Sequence, residues 1–336
     1  MSDLTTGSGS VHPGDPRASR ASLLRQLPLG AVRALELRGL LDHETAHWRD
    51  ELLWDFADVA SAVVQGLNDS RLDGIVLLDE TVPVGYCYVL QEGQRLVVGS
   101  IFVVAHWRSL GLEERMVRAA LSRAQRSRVA PRVEGQTLFC TSPGVGEEFR
   151  RVGFRDSTRY YMVRPSGGVG LGDVGPWRFV PLGRGEIARV AELVYRSHVG
   201  SPDAALNSTY ATAGSCRDFV ESIVLRCGCG AFDRDSSFLA YGADELDGVI
   251  LCTTLGGRNG HVCQVSVRPE RQGQGLGRRL MEVALTAHCR QGLDVSSLSV
   301  TVSNKTALRL YEHLGFGVRK TFEAYAWCAV PGPWPA

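Results

Sequence analysis

Residues 265–281 read Val265-Ser266-Val267-Arg268-Pro269-Glu270-Arg271-Gln272-Gly273-Gln274-Gly275-Leu276-Gly277-Arg278-Arg279-Leu280-Met281. An apolar strand runs into Pro269, which cannot continue the ladder. Glycines then stand at alternate positions, Gly273, Gly275 and Gly277, where missing Cβ atoms let backbone N–H groups converge on one point. A helix begins near Gly275, because Leu280, Val283, Ala284 and Ala287 follow i, i+3, i+4, i+7 and form a buried stripe. The order strand, glycine loop, helix sets the positive end of a helix dipole at a cradle suited to a pyrophosphate. Two familiar phosphate loops are excluded. Arg278 stands where G-x-G-x-x-G needs its last glycine, and no Gly-Lys-Ser/Thr follows.

Around this stretch the second half reads as alternating elements. Strands are expected at Trp177–Leu182, Ser237–Tyr241, Gly248–Thr254, His261–Val267, Leu298–Val302 and Ala324–Val330. Helices are expected at Glu186–Ser197, Cys216–Cys227 and Asn304–Leu314. The alternation is partial, so the expected fold class is α/β of the α+β kind, with a mixed sheet. The segment Val302-Ser-Asn304-Lys-Thr-Ala307-Leu-Arg-Leu-Tyr311-Glu-His-Leu-Gly315-Phe316 adds a second motif. Asn304 sits between a strand and a helix, where it caps N–H groups or holds a ligand. Tyr311 lies two turns further on, and Gly315 closes the helix.

With both motifs in this order, residues 176–330 resemble the GNAT superfamily of acyl-CoA-dependent N-acyltransferases. The resemblance implies that Q/R-x-x-G-x-G/A, here Gln272, Gly273, Gln274, Gly275, Leu276, Gly277 with Arg278 following, wraps the pyrophosphate of acetyl-CoA or another acyl-CoA. It implies main-chain contacts to the pantetheine and acyl carbonyl from Val265, Ser266 and Val267. The N-x-x-A-x-x-x-Y-x-x-x-G-F segment implies cofactor contact at Asn304 and Ala307, and proton donation to the departing thiolate by Tyr311. Some members carry a glutamate base early in the loop's strand. Its position falls on His261, whose side chain near pKa ~6.5 can take a proton at neutral pH. The plain alternative for His261 is a solvent-facing histidine at a strand start, and a water chain can replace a fixed base.

The chemistry asks for such groups. An amine attacks a thioester only when neutral, while its reference pKa is ~10.4, so a base or a desolvated site must act. A departing thiolate near ~8.5 takes a proton from a phenol near ~10 only if transfer is coupled to bond breaking.

The first half repeats the second. Gly85, Gly111 and Gly153 match Gly248, Gly275 and Gly315 at offsets agreeing within two residues, which argues for duplication of one module. The expected layout is a disordered tail at 1–17, a degenerate GNAT-like domain at 18–165, a glycine-rich linker at 166–175 and a catalytic GNAT domain at 176–330. The first copy lacks the chemistry. Glu113 stands where Gly277 does and would meet a pyrophosphate with like charge, Phe149 replaces the tyrosine, Ser142 the asparagine, and Val97 the histidine. Tandem members of the superfamily such as the mycothiol synthases share this arrangement, with the C-terminal domain catalysing.

Composition bounds the partners. The chain has 336 residues, hydrophobic content 44% and a formal net charge of +1, so nothing provides the basic field that nucleic acid requires. No apolar run approaches the ~20 residues of a membrane span, and no apolar signal segment is visible, so a cytoplasmic protein is expected. Nine cysteines are an odd number in a chain large enough to need no staples, which fits reduced thiols. The expected partners are a small-molecule or peptide amine and acetyl-CoA, without nucleic acid, membrane or metal; the repeat makes a pseudo-dimer within one chain.

Two metal patterns compete. His43-Glu44-Thr-Ala-His47 matches H-E-x-x-H, the basis of a zinc metalloprotease reading, but Asp42, Arg49 and Asp50 suggest a solvated helix face. Cys227-Gly-Cys229 with Cys216 and His198 has no standard zinc spacing. A third reading is a non-catalytic acyl-CoA sensor or scaffold, against which intact Asn304 and Tyr311 argue.

Overall fold

The computed structural model describes residues 16–92, 95–127, 132–167, 169–170, 175–201, 203–204, 207–226, 229–256 and 258–328. The expected tail thus lies outside the described residues except for 16 and 17, which open a helix, and so does half of the expected linker.

The fold is mixed α/β, and the chain divides into two compact units that are interleaved in sequence. The first comprises 16–46, 59–156 and 323–328, the second 47–58 and 157–322. The boundaries expected from the sequence ran continuously.

The first unit contains α1 (Pro16–Leu23), β1 (Arg25–Pro28), most of α2 (Arg38–Leu52), α3 (Ala57–Asn68), β2 (Asp73–Asp79), β3 (Val82–Glu92), β4 (Arg95–Val103), α4 (Leu112–Ser127), β5 (Arg132–Gln136) and α5 (Gly144–Arg151). Its strands run in the order β1-β2-β3-β4-β5, antiparallel except for the parallel pair β4–β5. Beyond β5 lie Ala324–Cys328, the second half of the chain's last strand. Its core gathers Val84, Val98, Met116, Leu121, Phe149 and Tyr325.

The second unit contains the greater part of β6 (Arg155–Pro165), then β7 (Trp177–Pro181), α6 (Ile187–His198), α7 (Ala213–Arg226), β8 (Ala231–Phe232), β9 (Phe238–Gly242), β10 (Glu245–Thr254), β11 (Asn259–Val267), α8 (Leu276–Arg290), β12 (Val295–Thr301), α9 (Lys305–His313) and the start of β13 (Gly317–Cys328). Its strand order is β7-β9-β10-β11-β12-β6, with β8 on β10, and its one parallel pair is β11–β12. Position by position this is the order found in the first unit. The duplication read from three glycines is therefore visible as topology. What the glycines did not show is the exchange of final strands: β6 follows the first module in sequence but pairs in the second unit, and the end of β13 does the reverse.

Alternation along β10 splits the second unit's core between two sheet faces. Ile250 and Cys252 pack with Leu276, Leu280, Met281 and Ala284 of α8. Val249 and Leu251 pack with Val190, Val194, Val220 and Ile223 of α6 and α7.

Candidate active site of the second unit

β11 and β12 pair only from Asn259–Val262 against Val295–Leu298. β11 then stays with β10 as far as Val267↔Gly248, while its other edge loses its neighbour. From Cys263 to Val267 the backbone therefore borders a wedge between two diverging parallel strands, where Val265 O accepts from Gln264 Nε2 at 3.3 Å. Val265 and Val267 pack on the α8 side, and Ser266 is buried and accepts from Gln264 Nε2 at 3.0 Å.

The glycine loop closes one end of the wedge. Gln272 Nε2 donates to Val267 O at 3.1 Å, and Gln274 Nε2 to Glu270 O at 3.1 Å, so both side chains brace the loop. Gly273 and Gly275 have φ of +76° and +88°, which a side chain would strain, and no atom lies within 4 Å of a Cβ built on either. Gly275 is the N-cap of α8 and supplies no capping side chain. The first-turn N–H groups of α8 thus have no side-chain cap from that position. Gly277 would place a Cβ 3.8 Å from Val267, Leu276 anchors the helix in the core, and Arg278 turns to Glu282 at 2.8 Å. The loop's entry is fixed by fully buried Asp247, which pairs with Arg268 at 2.7 Å and Arg271 at 3.2 Å.

Asn304 caps α9: its Oδ1 accepts from Ala307 N at 3.2 Å, and its Nδ2 donates to Asp203 Oδ2 at 3.0 Å. Tyr311 is half-buried beside Phe316, with ring centroids 6.1 Å apart. Burial, with the Asp203 charge adding, pushes its phenol up to about 12.

His261 is 5% exposed, which overturns the solvent-facing alternative. It lies at the paired end of β11, opposite Ser297 of β12. Its hydrogen-bond polarity follows from groups that can only accept. Asn259 Nδ2 donates to Leu53 O at 3.0 Å, so Asn259 Oδ1 accepts, and Ser297 Oγ donates to it at 2.8 Å. Ser297 Oγ must then accept from Nδ1–H of His261, at 2.9 Å, which leaves the lone pair on Nε2. Trp54 and Tyr161 flank the ring at centroid distances of 6.1 and 6.2 Å.

A ring nitrogen of His261 and the sulfurs of Cys229 and Cys263 all lie within 4.8 Å of one another. Register explains the gathering. Leu251 faces Gln264 and Cys252 faces Val262, so Cys263 is the extra residue of a β-bulge. Thr253, opposite His261, lies 3.3 Å from Cys263 Sγ and donates to Cys229 O at 2.5 Å. A hydrogen bond from the Cys263 thiol holds Cys229 well below the ordinary thiol value against burial, with Arg159 adding; the same bond pushes Cys263 up.

Among the described residues, neither ligand set drawn from the sequence gathers as a group of three. Cys227 lies outside the described residues, Cys216 Sγ donates to Thr209 O at 3.1 Å, and His198 stacks on Tyr210 at 3.8 Å. Glu44 is not on a solvated face: it is 1% exposed and accepts from Tyr86 Oη at 2.5 Å, while His43 is exposed. No hydrogen bond or ring contact among the described residues joins His261 to Tyr311. Sequence reading missed Trp54, Tyr161, Asn259, Ser297 and the pairing of Cys229 with Cys263. One signal was available, since His261-x-Cys263 on a strand puts both side chains on one face.

In the first unit Glu113 does not face a cradle. It is buried, and its oxygens accept from the N–H groups of Thr141 and Ser142, each at 3.1 Å. Phe149 stacks on Tyr325 at 4.3 Å in the core.

Residues 209–316 match the acetyltransferase (GNAT) family, so the C-terminal region carries a GNAT domain. The relatives narrow the comparison. A mycothiol acetyltransferase of Tsukamurella paurometabola is 38% identical over 120 residues, 32% of this chain and 40% of that protein. One of Thermobispora bispora is 51% identical over 92 residues, 25% of this chain and 31% of that protein. The alignments thus span less than half the length of these curated relatives. Among solved structures, a tandem GNAT protein from the clavulanic acid biosynthesis pathway superposes with TM-score 0.59 at 16% identity, over 92% of this chain and 99% of its own. A GCN5-related N-acetyltransferase from Sphaerobacter thermophilus gives TM-score 0.59 at 19% identity, over 81% and 86%. These likenesses establish the fold. No helix among the described residues is long and apolar enough to cross a membrane.

Proposed function

We propose that the second unit is an acyl-CoA-dependent N-acyltransferase, moving acetyl from acetyl-CoA to a primary amine of a small molecule or peptide by direct attack in a ternary complex. The observation that carries this reading is the wedge: β11 parts from β12 at Val262, and an uncapped helix N-terminus with two open left-handed glycines faces its end. That geometry fits a long, thin ligand with an anionic middle. Gln272 to Arg278 hold the pyrophosphate end, and the backbone of Val265, Ser266 and Val267 aligns the pantetheine and polarises the acyl carbonyl. Asn304 and Ala307 order the start of α9 beside it.

The amine's proton goes to Nε2 of His261, directly or through water, because Ser297 fixes the proton on Nδ1. Tyr311 donates to the sulfur. A phenol near 12 cannot protonate a free thiolate near ~8.5 favourably, the gap costing about 5 kcal/mol, so its proton moves only as the C–S bond breaks. The first unit, with Glu113 turned inward and Phe149 in the core, is proposed to be catalytically silent.

Thiol release from acetyl-CoA against a panel of amines tests the reading. Amino-sugar cysteine conjugates belong in that panel. Tight acetyl-CoA binding with no amine-dependent thiol release would favour the sensor reading instead.

A further inference from the structure

Cys229, His261 and Cys263 come from a loop and a bulged strand, and their ligand atoms lie within 4.8 Å of one another. Around a tetrahedral zinc ion, with bonds of roughly 2.3 Å to sulfur and 2.0–2.1 Å to nitrogen, ligand atoms stand roughly 3.5–3.8 Å apart. Closing the cluster onto an ion therefore requires side-chain shifts of about 1 Å, within the reach of rotamer adjustment. Among the described residues this is the one group of three such side chains so arranged.

We propose that Cys229, His261 and Cys263 form a three-ligand site for a soft divalent cation of the zinc class, with a fourth position open to water or a small anionic ligand. Three observations support it. Two sulfurs and an imidazole select zinc-class ions over magnesium or calcium, which want oxygen. The imidazole is oriented as metal-binding histidines are: Nδ1–H donates to Ser297, whose hydroxyl donates to Asn259, whose amide is anchored on Leu53 O, and Nε2 keeps its lone pair. Two thiolates, a neutral imidazole and a divalent ion sum to zero charge, so the filled site suits its buried surroundings. Binding releases the thiol protons of Cys229 and Cys263 to solvent and forms two S–metal bonds and one N–metal bond.

The site goes beyond the transferase reading and constrains it. One lone pair on Nε2 cannot serve a proton and a cation together, so the loaded form has no histidine base. Cation occupancy would silence that route.

The test uses the full chain, reduced and stripped with a chelator, and cobalt(II) as the probe without any acyl-CoA. One equivalent of cobalt should produce a thiolate-to-metal charge-transfer absorption together with intense tetrahedral visible bands, and zinc should displace it. Cys229→Ser and Cys263→Ser should each lose the charge-transfer intensity, and Ser297→Ala should weaken binding by roughly tenfold or more. Cys289→Ser, at an exposed cysteine elsewhere on the unit, should change nothing. In case a cysteine variant fails to fold, zinc should also protect Cys229 and Cys263 of the unaltered protein from alkylation. Bands that persist in both cysteine variants would overturn the site, as would unprotected thiols at saturating zinc, or a Cys229–Cys263 disulfide in the unreduced protein with no metal taken up after reduction. None of these readouts depends on acyl transfer.

Discussion

Ser297 and His261 face each other one register position before the pairing of two parallel strands ends, Oγ accepting from Nδ1–H at 2.9 Å. The contact decides which nitrogen of the ring is basic. Ser297→Ala should leave acetyl-CoA affinity unchanged while lowering kcat/KM by about tenfold, because the wrong tautomer becomes populated. Steady-state kinetics with a good acceptor check this. Unaltered kcat/KM would remove His261 from the reaction.

Tyr311→Phe keeps the ring beside Phe316 and deletes only the donor. kcat should fall by roughly 10²–10³-fold with the acetyl-CoA dissociation constant held, as for loss of one general acid. Calorimetry and turnover measured side by side separate the two effects. An unchanged kcat would return Tyr311 to a packing role.

Gly275→Glu should abolish acetyl-CoA binding. Its φ of +88° disfavours any side chain, and the added carboxylate would stand at the uncapped start of α8 where an anion is held. Gly277→Ala is the control, since a Cβ there makes an ordinary contact with Val267. Equal affinities in both variants, each folded by circular dichroism, would empty the cradle of its role.

His288 provides a pH dependence of stability. Its ring is fully buried, Nδ1 sits 2.9 Å from Ser296 Oγ, and burial pushes its pKa down to about 4, with nearby His261 lowering it and Asp233 raising it. The unfolded chain, near ~6.5, binds the proton more readily than the folded one, so stability rises with pH across that interval. As pH falls from about 6.5 toward 4, His288 alone should remove on the order of 3 kcal/mol, and a His288→Gln variant should flatten the slope. Urea midpoints taken across the interval measure it. Parallel slopes for the two proteins would show that His288 is not the sensor.

Cutting the chain in the 166–175 stretch should yield no folded half. Residues 176–336 would lack 47–58 and 157–165, which carry Trp54, Tyr161 and the strand beside β12. Residues 1–165 would lack Ala324–Cys328 and leave β5 an open edge. Each fragment should be insoluble or molten by near-ultraviolet circular dichroism. A soluble, active C-terminal fragment would contradict the interleaving.

Much of this architecture was legible in the sequence. The glycine spacing located the loop, Asn304 was readable as a cap, and the strands and helices expected from Trp177 to His313 lie within a few residues of their bounds, although β8 was not expected and β13 begins at Gly317 rather than Ala324. These features are local, set by turn chemistry and by periods of two and 3.6. The unread features are long-range. Nothing around Ala324 says that it will pair with Gln136 rather than within its own module, because strand choice is made by packing. Cys229 meets Cys263 only because a bulge places the latter, and no residue type marks that bulge. Glu113 was readable as a misfit, but its inward turn onto Thr141 and Ser142 depends on a loop folded nearby.

The exchanged final strands also impose a timetable on synthesis. The first unit has emerged as far as residue 156 while its closing strand, 324–328, is still more than 160 residues from being made. At about 5–20 residues per second the nascent protein holds the β5 edge bare for on the order of ten seconds or more. Completion of the first unit therefore waits until residues 157–322 of the second have been made. Chaperone binding during translation, or recoding that slows synthesis of residues 157–328, should act first on the module that was made first.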